Sequence, residues 1–483
     1  MAKILFIYPN KWGRGITPIW IASHYSILKQ DHKVELFDAT FYKDWTENEL
    51  KFNTKNKQYK ESNYFDLVKF SELPIKDELQ NKIDSFKPDI IFWSALSSHI
   101  HGEGEYVNIE YGYELLSKVN IYGAKLVTGG LQATASPFIV FDNFKKINFL
   151  IQGESELVLK EIADKTDENI AINSISGLVY LDKNKKIKFN QKQKILNDLD
   201  ILPDYDYTIF DSQSFLRPYN GKVLKVIDYE LSRGCIYTCS YCVETVIQKY
   251  YGFEEKTPKG ALKKAKNYLR NKSPKKVYRE LVNVRDKFGI ELVRSQDTNF
   301  LTIEPQLLKG LEKLILETPL NMKFYIETRP EGINEKSVEL LKNLGVDGVG
   351  MGLELAGSDF REENLNRYVN EDRIVKAFEL LKKAGIKRTS YNIIGLPKQT
   401  EKDILETIKF NKQLDPDNIT VAFYTPYLGT TEQMKSTKLN YFGSYEKKID
   451  SQLRSVSKDE TIPLSQLNYY KENFYNLVKG NQI

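Results

Sequence analysis

The chain reads as an α/β protein in two successive parts. The first is a doubly wound, flavodoxin- or Rossmann-like domain, and the second is a partial (β/α)6 barrel followed by a small helical C-terminal region. Three observations predict this. Short apolar runs alternate with amphipathic stretches over residues 1–190, and a second series of the same kind fills 222–430. Such alternation implies parallel sheets covered by helices. Between the two series, residues 191–221 carry Pro203, Pro218 and several aspartates, the composition of a linker. A hydrophobic content of 41% with 12% aromatic residues is enough to fill two sizeable cores.

In the first part, Ile4 to Tyr8 is a buried strand, and the loop after it contains Gly13, Gly15 and Pro18. Pro18 to Lys29 is the first helix. Lys33 to Phe37 alternates like a strand, and Asp89 to Leu96 is a third, introduced by Pro88. Lys125 to Thr128 ends at Gly129-Gly130, and Phe149 to Gln152 ends at Gly153-Glu154. Residues 40–75 are charged and aromatic without a period, an excursion from the sheet, and Leu178 to Phe189 is a hairpin turning at Asp182-Lys183-Asn184. Ligands of open parallel sheets lie at the carboxyl ends of the strands. Ser94, Ser97, Thr128, Gly129 and Gly130 fall on that edge, and the glycine pair lets a flat ligand approach the backbone. His99 and His101 lie in the loop after the third strand, either idle or lining the cleft.

In the second part the strands are Val223 to Leu231, Glu291 to Ser295, Lys323 to Glu327, Gly348 to Leu353, Ser390 to Ile394 and Asn418 to Phe423. The helices between them are Val277 to Phe288, Pro305 to Glu317, Asn334 to Leu344, Glu371 to Ala384 and Glu401 to Leu414. Barrels of this kind place their chemistry at the strand C-termini. Polar residues stand there: Gln296-Asp297-Thr298-Asn299, Glu327 with Arg329, Gly352-Leu353-Glu354, and the turn Gly395-Leu396-Pro397. Asp297 and Asn299 also suit a turn, and Glu327 with Arg329 a plain ion pair. Gly252 to Ser273 is a lysine-rich addition with no evident chemistry. The tail 431–483, with Tyr469-Tyr470 and Phe474-Tyr475, suggests a helix packed on the barrel.

All three cysteines of the chain, Cys235, Cys239 and Cys242, lie in one C-x3-C-x2-C segment after the first barrel strand. Three thiolates on one loop can hold three irons of a [4Fe–4S] cube and leave the fourth iron open. A zinc site lacks its fourth ligand here. An odd cysteine count without a secretory signal argues against disulfides. The spacing, together with the β/α series from Lys222 to Thr430, resembles the radical S-adenosylmethionine (SAM) superfamily. That resemblance implies that the open iron takes the amino and carboxylate groups of SAM. It places Tyr241 beside the adenine, Asp297 near the ammonium, Glu327 and Arg329 at the end of strand three with Arg329 on the carboxylate, and Glu354 on the ribose.

The first domain carries a second resemblance. His32-Lys33-Val34-Glu35-Leu36-Phe37-Asp38-Ala39, Pro88-Asp89-Ile90-Ile91, Gly129-Gly130-Leu131-Gln132-Ala133-Thr134 and Gly153-Glu154-Ser155-Glu156 look like the cobalamin-binding domain ahead of many radical SAM cores. It implies corrinoid contacts from Ser94, Ser97, Thr128, Gly129, Gly130, Gly153 and Glu154. The Asp-x-His-x-x-Gly loop of cobalt-ligating cobalamin domains is missing. The loop after the first strand is Pro9-Asn10-Lys11-Trp12-Gly13, and the four histidines are His24, His32, His99 and His101. No histidine is therefore expected on the lower face of the corrin. A cofactor-free supporting domain is the alternative.

The two resemblances together imply a [4Fe–4S] cluster, SAM and cobalamin. The implied chemistry is reductive cleavage of SAM to a 5′-deoxyadenosyl radical and C-methylation of an unactivated carbon on a small metabolite. With no spare cysteine, methyl carriage on a thiol or a second cysteine-held cluster is disfavoured. A radical cyclase, rearranging or oxidising enzyme is the next reading, and a non-enzymatic cobalamin or iron–sulfur sensor a third. A formal charge of +5, with acidic residues nearly matching basic ones, does not argue for nucleic acid. No apolar run reaches membrane-span length, so a cytoplasmic enzyme is expected, served by an electron donor such as flavodoxin or ferredoxin.

Overall fold

The computed structural model describes residues 1–47, 49–95, 105–424, 427–436, 445–446, 456–457 and 462–480. It divides into two compact units. The first comprises Met1–Asn48, Asn63–Arg217 and Val246–Gly252; the second comprises Glu49–Ser62, Pro218–Thr245 and Phe253–Ile483.

The first unit is built on strands β1 (Lys3–Tyr8), β2 (Lys33–Asp38), β3 (Ile90–Trp93), β4 (Lys125–Thr128), β5 (Phe149–Ile151), β6 (Leu178–Leu181) and β7 (Ile187–Phe189). Their order in the sheet is β2-β1-β3-β4-β5-β6-β7. The first five are parallel, and the β6–β7 hairpin adds an antiparallel edge. The central strands β1 and β3 are apolar on successive residues because both faces are covered by crossover helices. Ile19–Leu28 and Glu156–Asp167 pack together, and Glu105–Ser117 lies on β1 and β3.

Two of the histidines are absorbed by this packing. The His24 ring is fully buried, stacked on Phe92 and hydrogen-bonded through Nδ1 to Trp20 O (2.6 Å) and through Nε2 to Ser155 Oγ (2.8 Å). His32 is also buried and holds Asp164 through Nε2 at 2.9 Å. The third predicted strand ends early, at Trp93, because Ser94 takes a left-handed backbone (φ 60°) that turns the chain away. Ser97, His99 and His101 lie outside the described residues. The segment 191–221 is ordered by its aspartates. Asp198, Asp206 and Asp211 each accept a hydrogen bond from the backbone N–H two residues on and start a short 3-10 turn.

In the second unit the chain first forms β8 (Leu216–Tyr219) and β9 (Lys222–Tyr229), then the short strands β10 (Ser232–Arg233) and β11 (Arg270–Asn271). It continues with β12 (Leu292–Ser295), β13 (Lys323–Thr328), β14 (Val346–Glu354), β15 (Lys387–Ile394) and β16 (Asn418–Phe423). The main sheet runs β16-β15-β14-β13-β12-β9-β8, with β9 to β16 parallel. The helices are Pro274–Phe288, Pro305–Glu317, Glu335–Asn343, Glu371–Lys383 and Glu401–Leu414, within a few residues of the predicted bounds. Their period of apolar residues buries one stripe each, for example Ile374, Ala377, Phe378 and Leu381. The strand β8 escaped the sequence reading because Pro218 interrupts it. Asn220 (φ 51°) and Gly221 (φ 83°) supply the two left-handed positions of a two-residue hairpin into β9.

One face of β14 is paved with Gly348, Gly350 and Gly352. A Cβ on Gly350 would stand 2.6 Å from the Tyr391 ring and 2.8 Å from Tyr325 Oη. The glycines thus make room for tyrosines of the flanking strands. The edge strand β16 is covered: Val421 N–H donates to Gln58 Oε1, and Lys471 donates to Val421 O. Lys471 lies on the C-terminal helix Leu464–Lys479, whose Leu467, Phe474 and Val478 complete the core over β16, as the tail suggested.

The lysine-rich addition folds back onto the cysteine segment. β11 pairs antiparallel with β10, immediately before Cys235. Thr238 N donates to Gly260 O (2.9 Å), Leu262 N to Ile236 O (2.8 Å) and Lys272 N to Leu231 O (3.0 Å). Gly234, at φ 100°, is pressed so close that a Cβ there would lie 2.8 Å from Tyr268 O.

Candidate functional site

The cysteine loop leaves the carboxyl end of β9 at the point where Asp297 reaches across from the end of β12. The Asp297 carboxylate accepts from Ser232 N (2.7 Å), Ser232 Oγ (2.6 Å), Leu231 N (3.1 Å) and Ser295 Oγ (2.7 Å). Burial pushes this carboxyl up to about 6, the hydrogen bonds from Ser232 and Ser295 opposing it. Both oxygens are used by the protein itself. Asp297 thus braces the start of the cysteine loop.

Cys235 and Cys239 are buried, and Cys242 is partly so. Burial, with Glu244 adding to it, pushes the Cys235 thiol up to about 12, and burial raises Cys242 strongly as well. Bare thiolates are thus costly here, and a cationic iron cluster would supply the missing countercharge. Among the described residues no three ligand-type side chains converge on one metal ion. A cube, which takes one thiolate per iron, fits three spaced thiols better than a mononuclear centre does.

Three elements frame the loop's open side. Tyr241 Oη donates to Glu354 Oε1 at 2.8 Å. Glu354, at the end of β14, sits at φ 64°, a left-handed conformation that a non-glycine residue adopts only when its surroundings hold it there. Arg367 completes the group: Nη1 is 3.5 Å from both Tyr241 Oη and Glu354 Oε1, and Nη2 donates to Gly352 O. Its buried Nε–H has no partner. Nothing in the sequence singled out Arg367, which follows a short helix, Ser358–Leu365, with no motif around it.

Glu327 and Arg329 do not form the simple pair that the sequence allowed. Glu327 Oε1 accepts from Tyr391 Oη at 3.0 Å and faces Arg294 Nη2 at 3.4 Å, while Tyr391 and Tyr325 share a hydrogen bond of 2.7 Å. Arg329 Nε donates to Glu331 Oε1 at 2.9 Å, Nη2 contacts the same oxygen, and Nη1 is 3.4 Å from Cys239 Sγ. Its guanidinium lies over the Tyr237 ring, 3.7 Å from the centroid. Tyr237 and Glu331, like Arg367, were missed.

In the first unit, the carboxyl edge of the sheet gathers Ser94, Thr128, Gly129, Gly130, Gly153 and Glu154. Gly129 N donates to Ser94 O (2.8 Å), and Thr128 Oγ1 to Trp93 O (2.7 Å). Thr134 Oγ1 donates to Gly130 O (2.8 Å) and accepts from Gly153 N (2.9 Å), while Glu154 N donates to Tyr251 Oη (2.9 Å). A Cβ on Gly130 would lie 2.8 Å from Ser94 Oγ. Two buried polar atoms at this edge, Ser94 Oγ and Gln132 Oε1, have no hydrogen-bond partner. Orphaned polar atoms beside a glycine-paved edge fit a polar ligand.

Residues 229–410 match the model of the radical SAM superfamily. The chain is 25% identical to an uncharacterised methyltransferase of Pyrococcus horikoshii, over 72% of this chain and 69% of that protein. It is 24% identical to the anaerobic magnesium-protoporphyrin IX monomethyl ester cyclase of Rubrivivax gelatinosus, over 88% and 68%. Among solved structures it resembles the radical SAM methyltransferase TsrM of Kitasatospora setae, which has been solved with cobalamin and a [4Fe–4S] cluster. There the TM-score is 0.63 at 16% identity, covering 90% of this chain and 75% of that one. It also resembles the cobalamin-dependent SAM radical enzyme OxsB, with a TM-score of 0.64 at 15% identity over 98% and 67%. The fold is that of radical SAM enzymes with a cobalamin-binding domain. The radical SAM domain implies a [4Fe–4S] cluster and SAM. Among the described residues, no helix is long and apolar enough to cross a membrane.

Proposed function

With a radical SAM domain over residues 229–410 as the premise, we propose that this chain is a cobalamin-dependent radical SAM enzyme that methylates an unactivated carbon of a small metabolite. The observation that carries the reading is the edge of the first sheet, where buried Ser94 Oγ and Gln132 Oε1 lack partners beside Gly129-Gly130. Such an edge suits a large polar cofactor in a chain whose other unit already provides for a cluster and SAM.

Cys235, Cys239 and Cys242 would hold the cluster. Tyr241 and Glu354 would frame the adenosine, Glu354 accepting from the ribose hydroxyls. Arg367, with its unpartnered Nε–H, would meet a carboxylate. Glu327, already bonded to Tyr391, would keep the floor of the site polar and aligned. When bound, the cluster supplies one electron to SAM and the cobalamin supplies a transferable methyl group. The protein's part is to hold these groups in place and keep water away. Ser94, Thr128, Gly129, Gly130, Gly153 and Glu154 would line the corrinoid. A flavodoxin- or ferredoxin-type protein would deliver the electron.

A second reading is favoured by the cyclase relative, which aligns over 88% of this chain. It is a radical ring closure or oxidation without methyl transfer. A passive sensor is disfavoured, because it has no use for the Tyr241–Glu354–Arg367 group. The test begins with anaerobic purification from cobalamin-fed cells and assay of corrinoid and iron per chain. Turnover with labelled SAM follows. Formation of both 5′-deoxyadenosine and S-adenosylhomocysteine supports methylation. Substrate-dependent 5′-deoxyadenosine alone supports the second reading, and iron without corrinoid sinks the first.

A further inference from the structure

Resting on the cluster reading above, we propose that Arg329 sets the reduction potential of the cluster and does not bind the SAM carboxylate. The guanidinium is buried, and every nitrogen on it is engaged. Nε and Nη2 both meet Glu331 Oε1, and Nη1 points at Cys239 Sγ from 3.4 Å. One face is closed by Tyr237 at 3.7 Å. The backbone is pinned as well, since Arg329 N donates to Asn299 Oδ1 at 3.3 Å. The Nε–Nη2 edge, which would present two N–H groups side by side to a carboxylate, is already taken by Glu331. Arg367 keeps its Nε–H unpartnered.

The position of Arg329 suits another task. Reduction of the cube from the 2+ to the 1+ state adds one electron, shared among irons, sulfides and thiolate sulfurs. No protein bond breaks and no proton moves. A fixed positive charge that also donates N–H to one of those sulfurs favours the more negative, reduced state. Glu331 and Tyr237 keep the guanidinium from drifting, so the effect is built in. Arg329 is thus a positioning residue for charge, acting through Cys239.

The test is an anaerobic redox titration with dithionite and mediators on the full-length, cluster-loaded protein without SAM. The reduced cluster is followed by electron paramagnetic resonance. Wild type, Arg329→Gln and Arg329→Lys are compared at measured iron content. Poised at the wild-type midpoint, Arg329→Gln is expected to show a reduced-to-oxidised ratio about tenfold lower, which is about 59 mV for a one-electron couple. Arg329→Lys keeps the charge and is expected to retain most of the wild-type ratio. An unchanged midpoint in Arg329→Gln at full iron overturns the proposal, and weakened SAM binding with it would return Arg329 to the carboxylate. Loss of iron in Arg329→Gln, with or without loss in Arg329→Lys, also overturns it, because the residue would then serve cluster retention. If the wild type itself takes up no cluster, the proposed function fails first, which separates the two failures.

Discussion

Replacing Asp297 by alanine removes the brace at the start of the cysteine loop, and its cost should depend on pH in a defined direction. The carboxylate takes hydrogen bonds from two amides, Leu231 and Ser232, and from two hydroxyls, Ser232 and Ser295. Hydroxyls can turn to other acceptors, but the amides are fixed. Two stranded buried amides cost roughly 1–3 kcal/mol each, so Asp297→Ala should destabilise the second unit by about 4 kcal/mol where the native carboxyl is protonated. The native carboxyl is raised from 3.8 to about 6 by burial. A carboxyl whose folded value lies above its unfolded one favours the fold in its protonated form. That contribution is whole below 3.8 and is lost as pH rises through about 6. Integrated from pH 4 to 7, the loss is about 2 kcal/mol in wild type and zero at this position in Asp297→Ala. The penalty of the substitution should therefore shrink by about 2 kcal/mol, or about 4–8 °C in Tm for a unit of this size. Calorimetry of both proteins across that pH range measures it, since titrating groups not coupled to Asp297 cancel in the difference. Parallel curves, or a penalty that grows with pH, would refute the buried-brace account.

Three other outcomes are expected. Cys235→Ala, Cys239→Ala and Cys242→Ala should each abolish SAM cleavage and lower iron per chain; cleavage surviving in any of them means that the ligands are misassigned. Cobalamin bound to the wild type should show no imidazole nitrogen coupling in the resonance spectrum of its Co(II) form. His24 has both ring nitrogens in structural hydrogen bonds, and His32 is buried against Asp164. Gly350→Ala should cost about 1–3 kcal/mol by overpacking against Tyr325 and Tyr391, read as a lower Tm, and the double variant with Tyr391→Phe should recover part of it.

The parallel strands of both units and the five barrel helices were legible from their apolar runs and periods, and the cysteines because their spacing leaves little else. Features made by contacts distant in sequence were not. Arg367 has no local signal and gains meaning only when the end of β14 brings Glu354 to it. Arg329 was found, but its partners Glu331 and Cys239 decide what it does, and their contact spans two strand ends. The addition at 252–273 read as idle because β11 is only two residues long, too short for any pattern. The stretch 49–62 read as part of an excursion from the first sheet. It belongs to the second unit, where Gln58 covers Val421.

The clasp of 253–273 around the cysteine segment bears on how iron is acquired. In small zinc modules the metal organises the chain, and its affinity is largely the free energy of folding. Here backbone bonds on both sides of Cys235 and Cys239 already fix the segment. A segment held by its own backbone bonds would ask little of a metal's binding free energy for its ordering. Stripping the metal should therefore leave a folded apoprotein, with unchanged far-UV circular dichroism, that takes up iron again without refolding.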